Sequence, residues 1–457
     1  MAISRDTIEK KNWGYTLLRA YVNFVTKTYF RITVHNLHHI PENDIIIFAP
    51  NHQNALMDAL AILATVKTEP VFLARADIFK KKSIAKILTF LKILPIYRIR
   101  DGKEDLKNND QIFQKTIDVL KNKNGLVILP EGNHAGLRKL RTLKKGISKI
   151  AFEAEETNDF SLHIKIVPVG LDWTHYSNFR SRLFINFGKP IPVSDYYEEY
   201  INNPPRGLNL LREKIAEELK KYMIHIESDK YYEMFNQLRY LYLPHMIKKM
   251  GFKNNNQPNN FYAQKKIIND LNQFTKKNPT EAKTLNTITL KYVHLLKKLN
   301  FRHWVIQKGN FSIPGLLGQL ILAIILLPIY LYGAILNYLP YKIPVWITKK
   351  IKDPQFISSF RTVIALILFP VYYIIMAIIE ANIFKSGWIT LAYIITLPFT
   401  GLFAFHYYIG IKKWFAKIRF KFMQWFKNKH LLEIKKIYAQ IIDEMDKITA
   451  TKETSMH

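Results

Sequence analysis

The clearest chemical signal in the chain is a histidine followed by an aspartate, within Pro50-Asn51-His52-Gln53-Asn54-Ala55-Leu56-Met57-Asp58. Residues 45–49 form an apolar run that ends at Pro50 and reads as a buried strand, and the residues from 55 onward are rich in helix formers. On a single helix, residues six apart would lie about 240° apart at roughly 100° per residue. His52 and Asp58 can therefore meet only if His52 sits in the turn and folds back over the first helical turn. Such a pair has a use. The carboxylate fixes one imidazole nitrogen and leaves the other as a general base, as the aspartate of a hydrolase triad does. The chain contains no cysteine and no Gly-x-Ser-x-Gly turn, so the nucleophile would be a hydroxyl brought by the substrate. The plainer alternative is a histidine at a helix start beside an unrelated helical aspartate.

Three further stretches stand after strands or helices at turns. In Leu129-Pro130-Glu131-Gly132-Asn133-His134, Glu131 either binds an acceptor or orients a loop. The residues after it are basic (Arg138, Lys139, Arg141, Lys144, Lys145), which a solvated face also explains. Ile96-Tyr97-Arg98-Ile99-Arg100 follows a helix and a short strand, and the planar fork of an arginine suits two oxygens of a phosphate. Val167-Pro168-Val169-Gly170 has no polar side chain and can only shape a pocket or a turn.

In this order and at these separations, the four stretches resemble the blocks of the glycerolipid acyltransferase family over about residues 30–195. The family's N-H-x4-D block is matched at Asn51, His52 and Asp58, and its second block at Arg98. Its third, Phe-Pro-Glu-Gly-Thr-Arg-Ser, is matched only at Pro130, Glu131 and Gly132, because Asn133-His134-Ala135 stands where Thr-Arg-Ser is usual. That departure is closer to the Pro-Glu-Gly-Gly-Ser-His-Asp of fungal-type glycerol-3-phosphate and dihydroxyacetone-phosphate acyltransferases, whose His corresponds to His134. Phe179-Arg180-Ser181-Arg182, Phe187-Gly188-Lys189-Pro190 and the stretch from Lys349 to Phe356 are also similar to that group. The resemblance implies a membrane-bound O-acyltransferase of phospholipid synthesis. His52, oriented by Asp58, would deprotonate an acceptor hydroxyl, either of glycerol 3-phosphate or of 1-acylglycerol 3-phosphate. Arg98, Glu131, Gly132 and His134 would bind substrate. The donor would be acyl-CoA or acyl-carrier protein, with no other cofactor and no metal. A lipid-binding scaffold and an acyl-thioester hydrolase are the competing readings.

The elements that must position these residues follow from apolar periodicity. Strands are expected at residues 45–49, 71–74, 126–129, 164–169 and 183–187, with helical spacing at 55–66, 78–94, 112–120 and 147–156. This alternation predicts an α/β domain, a mixed sheet flanked by helices, over residues 31–225. Before it, residues 1–30 carry no secretory signal and form a helix that either packs on the domain or lies on a membrane. After it come a basic helical region (226–310) with an exposed loop or hinge in its Asn/Gln/Pro run, a membrane region (311–412) and a basic helical tail (413–457).

Composition agrees with that division. The 457 residues hold 67 Lys and Arg against 36 Asp and Glu, a net charge of +31, which calls for an anionic partner. The absence of cysteine excludes disulfides and thiolate metal sites, and 48% hydrophobic residues exclude disorder throughout. His35, His38 and His39 cluster, but metal binding is not expected of them. Nucleic acid is not expected either; an anionic lipid surface is the favoured partner, with an acidic carrier protein as another. Residues 313–339, 362–379 and 388–411 carry no charged residue, and each is near or above the roughly 18–20 residues that span a hydrocarbon core. Lysine and arginine are dense before the first segment, between the first and second and after the third, whereas the link between the second and third has only Lys385. The positive-inside rule then makes the last two a hairpin and the first a re-entrant or interfacial segment, with the catalytic domain on the cytoplasmic face of the inner membrane.

Overall fold

The computed structural model describes residues 12–96, 108–253 and 256–450. It divides into two units, Met1–His225 with Lys350–Val363, and Ile226–Lys349 with Ile364–His457.

In the first unit, eight strands form one mixed sheet: β1 (Arg31–His35), β2 (Ile46–Pro50), β3 (Val71–Arg75), β4 (Ile93–Ile96), β5 (Leu126–Val127), β6 (Lys165–Trp173), β7 (Arg182–Phe187) and β8 (Ile191–Pro192). Their order is β1-β7-β6-β2-β5-β3-β4, with β8 pairing β6. β6 runs parallel to β2 and antiparallel to β7 and β8, which makes the sheet mixed. The helices are α1 (Trp13–Tyr29), α2 (Leu56–Leu63), α3 (Lys82–Phe90), α4 (Asn108–Lys121), α5 (Gly146–Glu156), α6 (Tyr197–Asn202) and α7 (Pro204–Tyr222). All five residues of β2 are buried, and alternate side chains enter opposite cores. Ile47 and Ala49 pack with Phe152 of α5 and Leu211, Ile215 and Leu219 of α7. Ile46 and Phe48 pack with Met57, Ala61 and Ile62 of α2 and with Phe30. A sheet covered on both faces explains why its central strands read as continuous apolar runs.

Two local expectations change. Residues 78–94 are not one helix: α3 stops at Phe90, Lys92 takes a positive φ of 59°, and Ile93 begins β4 alongside β3. The Val167 to Gly170 block acquires a reason. A Cβ on Gly170 would lie 1.7 Å from the Tyr222 carbonyl oxygen, so the C-terminus of α7 can cross β6 only over a glycine.

The second unit is helical: α8 (Tyr232–Leu241), α9 (Leu243–Lys249), α10 (Gln257–Lys277), α11 (Pro279–Lys298), α12 (His303–Lys308), α13 (Ile313–Thr348), the part of α14 (Gln355–Phe384) from residue 364, α15 (Gly387–Trp425) and α16 (Lys429–Ala450). Residues 254 and 255 of the expected loop lie outside the described residues. The rest of that run starts a helix: the Asn256 side chain caps it by accepting the Asn259 N–H, and Pro258 sits in its first turn. The basic C-terminal segment continues α15 and then forms α16, which buries Leu431, Ile434, Ile441 and Met445.

The helices α13, α14 and α15 have 36, 30 and 39 residues and are long and apolar enough to cross a membrane. Their large apolar side chains face outward, among them Ile325, Ile335, Ile367, Ile374 and Phe399. The three fit a membrane protein. α13 is one unbroken helix and lacks the turn that a re-entrant path needs, although Pro328, Pro340 and Pro344 lie within it. It pairs antiparallel with α15, through Trp414 to the Leu316 carbonyl (2.9 Å) at one end and Asn337 to the Leu397 carbonyl (3.1 Å) towards the other. Buried Asn337 also accepts from the Tyr373 hydroxyl of α14 at 2.6 Å, so one amide joins all three helices.

Candidate active site

β2 ends at Pro50 and α2 begins at Leu56, and the chain between them reverses at Ala55, whose φ is 43°. That positive φ is costly for a residue with a Cβ. The turn folds His52 back over α2, so that its Nδ1 lies 2.9 Å from Asp58 Oδ2. The N-H-x4-D pattern counts four residues between the two groups. Here five intervene, Gln53 to Met57, and the two side chains still meet.

Asp58 is fully buried. Its Oδ2 also accepts the N–H groups of Gln53 and Asn54, each at 2.7 Å, and its Oδ1 accepts the indole N–H of Trp173 at 2.8 Å. With four donors on two oxygens, the carboxylate is fixed in place. Its bond to Nδ1 leaves Nε2 of His52 as the nitrogen able to take a proton. Asn51 secures the turn from the other side: its amide exchanges two hydrogen bonds with the Leu171 backbone, at 2.6 and 3.2 Å.

Glu131 follows β5, the neighbour of β2, so both blocks meet at the C-terminal ends of adjacent parallel strands, where open α/β sheets bind ligands. The sequence reading places Glu131 at the acceptor or at a loop. The structure turns its carboxylate to the backbone, where Oε1 accepts the His52 N–H at 2.7 Å and Oε2 the Arg141 N–H at 3.1 Å. Burial raises its pKa from the ordinary 4.5 to about 7, outweighing those two N–H groups, which favour the charged form. Gly132 takes a φ of 66° in the turn and donates its N–H to the Leu129 carbonyl at 3.0 Å.

The His134 ring lies edge-on to the His52 ring, 5.3 Å between centres, and its Nε2 is 3.1 Å from Asp353 Oδ2. His52, Asp58, Glu131, Gly132 and His134 thus form one cluster. Arg98 lies outside the described residues. Arg138, read only as part of a basic run, is buried and pairs with Asp172 at 3.3 Å and with the Trp173 carbonyl. Trp173 was not legible as a site residue, and Asp353 was singled out only within the stretch from Lys349 to Phe356, since nothing in the local pattern links either to a block more than one hundred residues away. His39 uses Nδ1 on the Phe187 carbonyl at 2.9 Å.

Residues 31–172, from β1 into β6, match the family model described as Acyltransferase. By this match the stretch is similar to acyltransferase domains, and the chain resembles the glycerolipid acyltransferases. Glycerol-3-phosphate O-acyltransferase 2 of Saccharomyces cerevisiae is 25% identical over 289 residues, which is 60% of this chain and 38% of that protein. Glycerol-3-phosphate O-acyltransferase 1 of the same yeast is 28% identical over 102 residues, 22% of this chain and 13% of the other. The chain therefore spans well under half the length of either relative. Among solved structures, the 1-acyl-sn-glycerophosphate (LPA) acyltransferase PlsC of Thermotoga maritima aligns with a TM-score of 0.34 and 17% identity, over 47% of this chain and 83% of that one.

Proposed function

We propose that this protein is a membrane-bound O-acyltransferase that moves a fatty acyl group from a thioester donor to a hydroxyl of glycerol 3-phosphate. One observation carries the reading. Within the acyltransferase match, His52 has one ring nitrogen fixed by a buried aspartate and the other available as a base. In this mechanism Nε2 of His52 takes the proton of the acceptor hydroxyl, and the oxygen attacks the thioester carbonyl. The tetrahedral intermediate collapses, the C–S bond breaks, and the departing sulfur takes the proton from His52. The products are an ester and a free thiol, and no acyl-enzyme forms. Arg98 and His134 serve the acceptor, and Glu131 with Gly132 holds the turn that carries His52. The donor is acyl-CoA or acyl-carrier protein, and no other cofactor takes part. The favoured acceptor follows the two yeast relatives, whose names specify glycerol 3-phosphate. In this reading the three apolar helices hold the enzyme in the membrane that supplies and receives its lipid.

The test uses the purified full chain in detergent with palmitoyl-CoA or palmitoyl-carrier protein. Glycerol 3-phosphate, dihydroxyacetone phosphate and 1-acylglycerol 3-phosphate are offered separately, beside a reaction without acceptor. Ester formation on glycerol 3-phosphate supports the reading. Thiol release at the same rate without acceptor would make the protein a thioester hydrolase. No turnover with any combination, from folded protein, would leave a lipid-binding scaffold.

A further inference from the structure

Lys350–Val363 belongs to the first unit although it lies far beyond the family match. Four polar tethers hold this segment to the site. Asp353 Oδ2 meets His134 Nε2 at 3.1 Å. Gln355, in the amide orientation that its neighbours require, accepts the Gly136 N–H at 2.9 Å and donates to Asp353 Oδ1. Ser358 donates to the Asn54 side chain at 2.8 Å in a buried contact, and Arg361 donates to the Ser177 carbonyl at 3.3 Å. Phe356 also stands edge-on to the His134 ring, with 4.7 Å between centres.

The two oxygens of Asp353 have different duties. Oδ1 accepts both the backbone N–H of Gln355, at 3.1 Å, and its side-chain amide. Oδ2 faces His134. A carboxylate oxygen only accepts, so the shared proton sits on Nε2. In the neutral ring Nδ1 is then bare and can accept a hydroxyl proton. Two imidazoles with centres 5.3 Å apart, each held by its own carboxylate, suit two hydroxyls on adjacent carbons.

We propose that Asp353 is a positioning residue for the acceptor: it fixes His134 so that Nδ1 accepts a hydrogen bond from the acceptor's second hydroxyl, while His52 deprotonates the first. The proposal rests on the acyltransferase reading above and makes the pair a specificity element for a vicinal diol. Glycerol 3-phosphate presents such a diol. Dihydroxyacetone phosphate presents one hydroxyl and a carbonyl, which has no proton to donate.

The experiment compares the full-length wild type with Asp353→Asn in detergent with palmitoyl-CoA. Asparagine caps a helix as well as aspartate does. Its oxygen keeps the Gln355 donors, so its NH2 turns to His134 and forces the opposite tautomer, with the proton on Nδ1. The expected result is a KM for glycerol 3-phosphate raised about tenfold, the worth of one hydrogen bond, with kcat changed less than about threefold. The KM for dihydroxyacetone phosphate does not rise, because the Nδ1–H of the variant can donate to its carbonyl oxygen. An equal rise for both acceptors, or none for glycerol 3-phosphate, overturns the proposal. 15N NMR of histidine-labelled protein reads the tautomer without turnover: Nε2–H in the wild type and Nδ1–H in the variant support the positioning role, and an unchanged tautomer overturns it. A wild type that acylates no acceptor contradicts the proposed function and the diol contact together, whereas the NMR result bears on Asp353 alone.

Discussion

Asp58 accepts four N–H donors from one buried position, and that determines what its replacement would do. In Asp58→Asn the amide keeps most donors with its oxygen towards His52, Gln53 and Asn54 and its NH2 towards Trp173. The variant is expected to lose about 1–3 kcal/mol of stability for the unsatisfied group, and kcat by about 10²-fold or more because a neutral amide no longer stabilises the imidazolium that His52 becomes. Thermal unfolding and steady-state kinetics measure the two losses. Glu131 gives a pH signature. Its pKa rises from 4.5 in the unfolded chain to about 7 in the folded one, so between those values the folded protein holds a proton that the unfolded chain has released. Its contribution to stability is therefore full below about pH 4.5 and is lost as pH rises through about 7. Glu131→Gln should flatten that part of the stability profile measured by denaturant titration, and an unchanged slope would contradict the assignment. His52 and Asp58 were legible because their types and order already imply a base and its orienter. The direction of Glu131 was not legible, because a carboxylate after a strand can serve a ligand or a backbone equally well, and only the fold shows which donors lie within reach.

At the scale of elements, apolar runs identified the strands and the turns between them, since strands buried on both faces cannot be polar. Periodicity failed where the backbone did something special. Lys92, with its positive φ, divides a stretch of helical spacing into α3 and β4, and the Asn/Gln/Pro run after Phe252 reads as a loop although Asn256 and Pro258 are the cap and first turn of α10. Two substitutions test this level. A methyl group at Gly170 would overlap the Tyr222 carbonyl, so Gly170→Ala is expected to destabilise the first unit by about 3 kcal/mol or more, or to prevent folding, as read by expression and thermal melts. Ala55 sits at a φ of 43°, which glycine adopts without cost. Ala55→Gly is therefore expected to match or exceed the wild-type melting temperature, and a clear loss would show that the turn is held by its methyl contacts instead.

For the whole molecule, the three long apolar helices fit a membrane protein, and the charge of +31 would favour an anionic lipid surface. The protein is expected to stay in the membrane fraction through high-salt and alkaline washes and to leave it only in detergent; release by salt alone would reduce the apolar helices to a peripheral role. The membrane region was legible from length and composition. The packing of residues 350–363 into the first unit was not, because it comes from tertiary folding across more than two hundred residues. The central claim is that His52 is the base for acyl transfer to an alcohol. Its most direct test is the initial rate of palmitoyl transfer to glycerol 3-phosphate by the wild type and by His52→Ala, in detergent and with matched melting curves. The account predicts a fall in kcat of about 10³-fold, in the range that general-base catalysis supplies. A His52→Ala protein that transfers palmitate within a few-fold of the wild-type rate would contradict it.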